Sequence, residues 1–442
     1  MRIIGKLRAS RLRLQTGTTQ GLYTNTHLPT EIRVWQLRQF NSIWKRISSE
    51  SSYFQALKAR GQAPRVFDSW KEFCQCVPIM TRETLRQNIN EMRLGTGSAD
   101  YHRITGGSTS EPIQLPAWRS EDRITGLDTW RGRSWYGVDP SDRLFLLWGH
   151  SHLLGRGVRG WLDGKWRALK DYGLGYCRRS AYDLGAESLR ETAGSLLRFE
   201  PEYIVGYSVA LHRLAHANQH LRDEFRKLPL KVIIATGESF PTHDSASLIS
   251  NVFGCPVAME YGAVETGTIA HQRPDGRFQV FWANYFLEGV ESTLWPGRYE
   301  LLVTALYPRV TPLIRYRIGD LIAPNPSAID FDQTLDTIVG RCNDGISVGE
   351  GTFVHSEAFS HVLRNMKDIQ AFQVMQNSAD EIVISYVAEH EISHTTQEYL
   401  QRRFEAVDRR LQIQRFERVA RLEETVAGKT KRIVRDGMLR YV

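Results

Sequence analysis

The chain has 442 residues, 57 Lys and Arg against 49 Asp and Glu for a formal charge of +8, and 41% hydrophobic residues. That length exceeds one compact core and predicts two domains, and no run approaches the ~20 consecutive apolar residues that cross a bilayer, which excludes an integral membrane protein. The positive charge favours anionic partners such as nucleotides, a phosphate-bearing coenzyme or an acidic carrier protein, and because basic residues are interspersed with acidic ones no nucleic-acid partner is expected.

The start, MRIIGKLRASRLRLQTG, is basic and lacks the apolar run and small-residue cleavage site of a secretory signal. Five cysteines with no CxxC pair fit a reducing cytoplasm better than a disulfide framework, and none of the 13 histidines sits with cysteine at zinc-ligand spacing. From Glu31, the spacing of Leu37, Phe40, Ile43, Trp44 and Ile47 predicts one face of a helix. Thr81 as N-cap and Glu83 open a second helix, predicted over 81–93. Short apolar runs then predict strands at 144–148, 203–207, 231–239, 255–262 and 299–306. Helical stretches at 186–198, 208–225 and 242–253 separate several of them. Strand and helix in alternation argue for an α/β layered domain whose ligand sits at the carboxyl ends of the strands. After GRCND (340–344) a smaller unit follows, with strands near 352–354, 371–375 and 381–387 and a helix over 395–411. The domain boundary is placed at about residue 342.

The chemistry-bearing motifs are short. TGGSTSEP (105–112) is a glycine- and hydroxyl-rich loop of the kind whose backbone N–H groups converge on phosphate; a solvent-exposed turn has the same composition. Gly155-Arg-Gly157-Val-Arg-Gly160 matches GxGxxG literally but is followed by no convincing acidic residue at the expected ~20-residue distance, so it is read as coincidence. Gly428-Lys429-Thr430 resembles the end of a phosphate-binding loop, but Glu423 stands where its first glycine belongs. EYGAVETG (260–267) follows the apolar strand CPVAM and delivers a Tyr and a Glu to its carboxyl end, where a ring can lie under a base and a carboxylate can hold Mg²⁺. PLIRYRIGDLI (312–322) is an Arg-rich strand expected to end in Gly-Asp at a tight turn, with a carboxylate for two ribose hydroxyls; a salt-bridged hairpin is the competing reading.

The order of these pieces carries more than any one of them. A Gly/Ser/Thr loop, GES at 237–239, YGxxE, RxGD, GRxxD and a late GK follow the order of the adenylate-forming superfamily of acyl- and aryl-CoA synthetases, peptide-synthetase adenylation domains and luciferases. The chain resembles its phenylacetate-CoA ligase branch and the capsular-polysaccharide-biosynthesis homologues in particular, through FEPEYIVGYSVALHRLA (199–215), ATGESFP (235–241), FGCPVAMEYGAVETGTIAHQ (253–272) and TPLIRYRIGD. The resemblance runs from CVPIMTRETL (76–85) to Lys429.

It implies an α/β fold: a large multi-layer N-terminal domain (1–341) with mixed sheets and flanking helices, plus a small mobile α+β C-terminal lid (342–442). It also implies a reaction, in which ATP and Mg²⁺ activate a small carboxylic acid as an acyl-adenylate and the acyl group passes to a thiol or an amine. The acceptor is coenzyme A, the phosphopantetheine of an acyl carrier protein, or an amine. By the same resemblance Gly106, Gly107, Ser108 and Thr109 wrap the phosphates of ATP, Gly237 and Glu238 line adenine, and Tyr261, beside Gly262, stacks on it. Glu265 coordinates Mg²⁺, Asp320 binds the ribose with Arg341 assisting, Asn343 and Asp344 form the hinge, and Lys429 bridges the carboxylate and the α-phosphate. Trp148, His150 and His152, in FLLWGHSHLLGRG, are candidates for the acyl pocket. They are equally readable as core and loop caps.

Two positions depart from the pattern. Glu111 stands where many relatives carry lysine, which sets a negative charge beside the phosphates, and Val264 replaces a hydroxyl residue worth about 1.5–3 kcal/mol as a hydrogen bond to a charged group. They motivate a rival expectation, a binding or scaffold protein that keeps the fold without the chemistry. Glu265, Asp320 and Lys429 are all present, and an active ligase is the expectation.

Overall fold

The computed structural model describes all residues except 1–2, 18–20, 25–27, 62, 96–97, 105–112, 149–168, 182–183, 242–243, 294–296, 323–333, 336–337, 342–344, 349–352, 364–365, 367, 378–380, 424–431 and 436–442. The chain divides into two compact units: Met1–Thr16, Trp130–Glu260 and Asp344–Arg440 form the first, and Gly17–Thr129, Tyr261–Asn343 and Tyr441–Val442 the second.

In the first unit four of the apolar runs become parallel strands, and a fifth, polar and largely exposed strand, Tyr176–Ser180, which no apolar run predicts, joins them at the edge. Their spatial order is Val257–Ala263, Val232–Thr236, Tyr203–Tyr207, Leu144–Trp148, Tyr176–Ser180. Every residue of YIVGY is buried, as expected of a parallel strand covered on both faces. Helices Ala186–Phe199, Ser208–Ala217 and Ser245–Phe253 supply the covering layer, and Leu196, Leu211, Leu214, Ile249 and Phe253 pack with Phe145, Ile204 and Ile233 in one core. Gly254 ends the last of these helices in the left-handed conformation, φ 73°, the usual glycine stop. The helix predicted over 208–225 is broken: Asn218 leaves the helical ladder and its side-chain amide donates to Leu214 O at 2.9 Å, after which a 3₁₀ turn and a short helix Arg222–Phe225 follow. A short polar side chain that satisfies the preceding carbonyls ends a helix that periodicity alone would continue.

The carboxyl-terminal part of this unit has a sheet of its own, in the order Ile413–Arg418, Ile382–Val387, Ala371–Gln376, Ile433–Arg435. Phe359, Val374, Ile384, Leu400 and Phe404 are buried in a core built only from residues of this part. Its long helix runs His394–Val407, capped by the Ser393 hydroxyl and ended by Asp408, four residues short of the predicted Leu411.

The second unit is antiparallel. Tyr285–Glu291, Tyr299–Ala305, Tyr316–Ile322 and Ile338–Arg341 form one sheet in that order, and Gly267–Gln272, Phe278–Val280 and Thr334–Leu335 pair in succession. The predicted first helix is Pro29–Glu50, with Ile32, Gln36, Phe40, Trp44 and Ile47 buried; Leu37 and Ile43 flank that face rather than define it. Gln36 is tolerated there because its amide donates to Trp282 O at 2.8 Å and Tyr285 O at 3.0 Å. The helix predicted over 81–93 is two, Arg82–Gln87 and Ile89–Met92, and Asn88 makes the break with its amide on Thr84 O. Thr81 is the N-cap, its hydroxyl accepting from Thr84 N at 3.0 Å.

Candidate active site

Asp320 lies inside the Tyr316–Ile322 strand rather than at a tight turn. The pairing with Tyr299–Ala305 slips between Glu300 and Leu302, and Gly319, immediately before Asp320, takes φ 86°, which a β-carbon would oppose. A bulge of this kind re-aims a side chain. The carboxylate accepts from the Tyr261 hydroxyl at 2.7 Å and pairs with Arg341 Nε at 3.1 Å. Arg341 is directly opposite Asp320 in the sheet register and also donates to Ile318 O. Burial first, then the charge of Asp320 and its hydrogen bond, hold the Tyr261 phenol well above its ordinary pKa. It therefore stays a donor throughout the working pH range.

Glu265 sits in the turn after the Val257–Ala263 strand. The turn is tight: a β-carbon on Gly262 would lie 2.1 Å from the carbonyl oxygen of Gly267, so only glycine fits. Below it is a polar clamp. Arg309, 2% exposed, donates to Glu265 O at 2.6 Å and to the Tyr307 hydroxyl at 2.7 Å. The Tyr285 hydroxyl donates to Thr266 O at 2.6 Å, and the Thr266 hydroxyl accepts from Ala263 N at 3.1 Å. Glu121, fully buried, lies 3.6 Å from Arg309 and 3.0 Å from Arg103.

The Glu265 side chain is met by Arg82 Nη1 at 2.9 Å and the Tyr316 hydroxyl at 3.2 Å, both on Oε1. Burial first, then the charge of Glu265, raises the Tyr316 phenol above its ordinary value. A carboxylate engaged through one oxygen fits Mg²⁺, which takes one or two protein carboxylates and completes its shell with water and substrate phosphate. Among the described residues no group of three or more His, Cys, Asp or Glu side chains could hold a metal ion.

Arg82 was not among the residues singled out in the sequence. Its one local signal is a cation in the first turn of a helix, against the helix dipole. Residues 80–82 are held beside the Asp320 strand by Met80 N on Arg315 O at 3.0 Å and Arg317 N on Met80 O at 2.9 Å.

In the first unit Gly237 follows the Val232–Thr236 strand with φ 82°. The Glu238 carboxylate accepts from Val209 N at 3.2 Å and its carbonyl from the Ser208 hydroxyl at 2.8 Å, so it anchors the start of the Ser208–Ala217 helix as well as following the motif glycine. Trp148 ends its strand half-buried, its ring 4.7 Å from that of Tyr207, while Phe145 and Leu147 belong to the core. Gly106, Gly107, Ser108, Thr109, His150, His152, Asn343, Asp344 and Lys429, with Glu111 and the 155–160 glycine pattern, lie outside the described residues. Val264 is 45% exposed.

The chain has the fold of the adenylate-forming enzymes. It superposes on 2-hydroxyisobutyryl-CoA ligase in the postadenylation state, in complex with 2-HIB-AMP, with a TM-score of 0.68 at 16% identity, over 91% of this chain and 89% of that one. Similar too are the anthranilate CoA ligase AuaEII in complex with anthranoyl-AMP (TM-score 0.51, 17% identity, 75% of this chain and 65% of that one) and the amide bond synthetase McbA of Marinactinospora thermotolerans (0.51, 16%, 75% and 67%). Residues 346–436 match the family model of the CapK C-terminal domain, and the chain is 26% identical to Protein CapK of Staphylococcus aureus over 318 residues, 70% of this chain and 68% of that protein.

Proposed function

We propose that the protein is an ATP- and Mg²⁺-dependent ligase that activates a small carboxylic acid as its acyl-adenylate and passes the acyl group to a thiol or an amine. The grouping of Tyr261, Asp320 and Arg341 supports it most directly: a carboxylate on a bulged strand, flanked by an aromatic ring and a cation, is suited to two ribose hydroxyls beneath a stacked base. Tyr261 and Gly262, with Gly237 and Glu238, bind the adenosine, and Gly106, Gly107, Ser108 and Thr109 bind the phosphates. Glu265 would hold Mg²⁺, which would supply neutralising charge beside the phosphates when bound. Lys429 neutralises the substrate carboxylate as it approaches the α-phosphorus, where two anions would otherwise repel.

Residues 342–442 act as the lid, turning at Asn343 and Asp344. That reading is supported by the separate core of 346–433 and by the family match that begins at residue 346. Trp148, His150 and His152 line the acyl pocket, a place suited to a planar acid. The acceptor is coenzyme A, a carrier-protein phosphopantetheine or an amine, and the described cysteines, all unpaired, suit a cytoplasmic enzyme. No described helix is long and apolar enough to cross a membrane.

The test is pyrophosphate release with ATP and Mg²⁺ across aliphatic, aromatic and amino acids, with and without coenzyme A. A signal dependent on one acid is expected, and Lys429→Ala should suppress it while nucleotide still binds. Silence across the panel, with ATP binding demonstrated, would favour a binding protein that keeps the fold.

A further inference from the structure

We propose that Arg82 is a charge gate on the Glu265 carboxylate, which makes the site take a divalent cation together with nucleotide and refuse it alone; this rests on the reading of Glu265 as the metal carboxylate. The ion pair is short, 2.9 Å, and asymmetric in exposure, with side chains 33% exposed for Arg82 and 9% for Glu265. The partly sheltered carboxylate is thus already neutralised by a guanidinium on the same oxygen that Tyr316 engages. A bare divalent cation at the other oxygen would gain one negative charge and sit within a few ångströms of a positive one. Between charges at that range the interaction is worth several-fold to many-fold in affinity at protein-surface dielectrics.

A triphosphate changes the sign of the balance. With several negative charges beside Glu265, the cation and the guanidinium both have partners and Arg82 no longer opposes the metal. The two ligands are then linked: nucleotide raises metal affinity by the factor by which metal raises nucleotide affinity, and Arg82 enlarges that factor by depressing the metal-only state. Arg82 is well placed for this because the main chain that carries it is fixed beside the site. Thr81 caps its helix, and the main chain at Met80 is bonded on both sides to the strand that carries Tyr316.

The experiment is a Mn²⁺ titration of the full chain followed by electron paramagnetic resonance, with and without a non-hydrolysable ATP analogue, on wild type, Arg82→Gln, Arg82→Lys and Glu265→Gln. Arg82→Gln should bind Mn²⁺ at least about tenfold more tightly than wild type without nucleotide, and the gain in Mn²⁺ affinity on adding the analogue should shrink. Arg82→Lys, which keeps the charge, should stay close to wild type. A site loosened by a merely structural change would bind metal more weakly, the opposite sign. Equal or weaker Mn²⁺ binding by Arg82→Gln without nucleotide overturns the gate, while Glu265→Gln still losing Mn²⁺ in the presence of the analogue would leave the metal reading of Glu265 standing. If Glu265→Gln binds Mn²⁺ as wild type does with the analogue, the metal reading itself fails and the gate with it.

Discussion

Buried polar groups are held in two ways in this molecule: as bonded sets, which both units contain, Arg133 with Glu260 in the first and Arg309 with Glu121 in the second, or by remaining neutral, as one histidine of the first unit does. In the second, buried charges come in bonded sets: Arg309 with Glu121, Tyr307 and the Glu265 carbonyl, and Arg315, at φ 50°, with Glu288 and the carbonyl of Val77. In the first, His212 is 4% exposed among apolar side chains of the parallel sheet's helical layer, and neither ring nitrogen has a hydrogen-bond partner among the described residues. Burial there is met by remaining neutral. Desolvation first, then His216 and Arg213, against the opposing pull of Asp244, push the imidazole down to about 4. The difference is that a paired charge positions what it touches, whereas an unpaired imidazole only limits the pH at which its surroundings stay folded.

Breaking a bonded set should have the largest effect. Arg309→Met removes one of the two cations that Glu121 faces, Arg103 being the other, together with the donor to the Glu265 carbonyl and the Tyr307 hydroxyl. Two hydrogen bonds from a buried guanidinium are worth about 1.5–3 kcal/mol each; urea unfolding should show the loss, and an unchanged midpoint would mean that the clamp is not a stabilising unit. Next comes the neutral group. The folded pKa of His212 lies near 4 against an ordinary 6.5, so protons favour the unfolded chain, and stability present above pH 6.5 is lost as pH falls toward 4. At ~1.4 kcal/mol per unit the loss is roughly 3 kcal/mol. His212→Leu should flatten the fall in midpoint across that window, and a slope equal to wild type would assign it to other groups.

The remaining two sharpen the comparison at the site. Asp320→Ala strips Tyr261 and Arg341 of their shared acceptor, and charge-assisted hydrogen bonds of about 1.5–3 kcal/mol imply a tenfold or greater loss of ATP affinity by calorimetry; unchanged affinity would undo the ribose assignment. Gly262→Ala forces a β-carbon against the Gly267 carbonyl, and steric insertion of this kind costs about 1–3 kcal/mol. It should lower thermal stability without altering the pH slope.

Much of the scaffold was legible in the chain. Apolar runs of strand length bounded by glycine and polar turns predict four of the five parallel strands, because a strand buried on both faces has to be apolar throughout; the edge strand Tyr176–Ser180, polar and largely exposed, carries no such signal. The Thr81 cap was legible too, since capping is a contact over three residues. What periodicity missed was local competition: Asn88 and Asn218 bond backward to the chain and end helices that their apolar neighbours would have continued.

By itself the sequence determined which side chains were available, in what order, and on which strands and helices: Tyr261 at the end of an apolar strand, Gly319 before Asp320, Glu265 after a glycine turn. Only the tertiary structure decided that Arg82 meets Glu265 across 183 residues of chain, that Arg309 clamps the same turn from below, and that a register slip rather than a turn aims Asp320. The reason is physical. Propensity, periodicity and capping act over a few residues, whereas the pairing of buried charges is set by packing between segments far apart in the chain, and no local rule carries that distance.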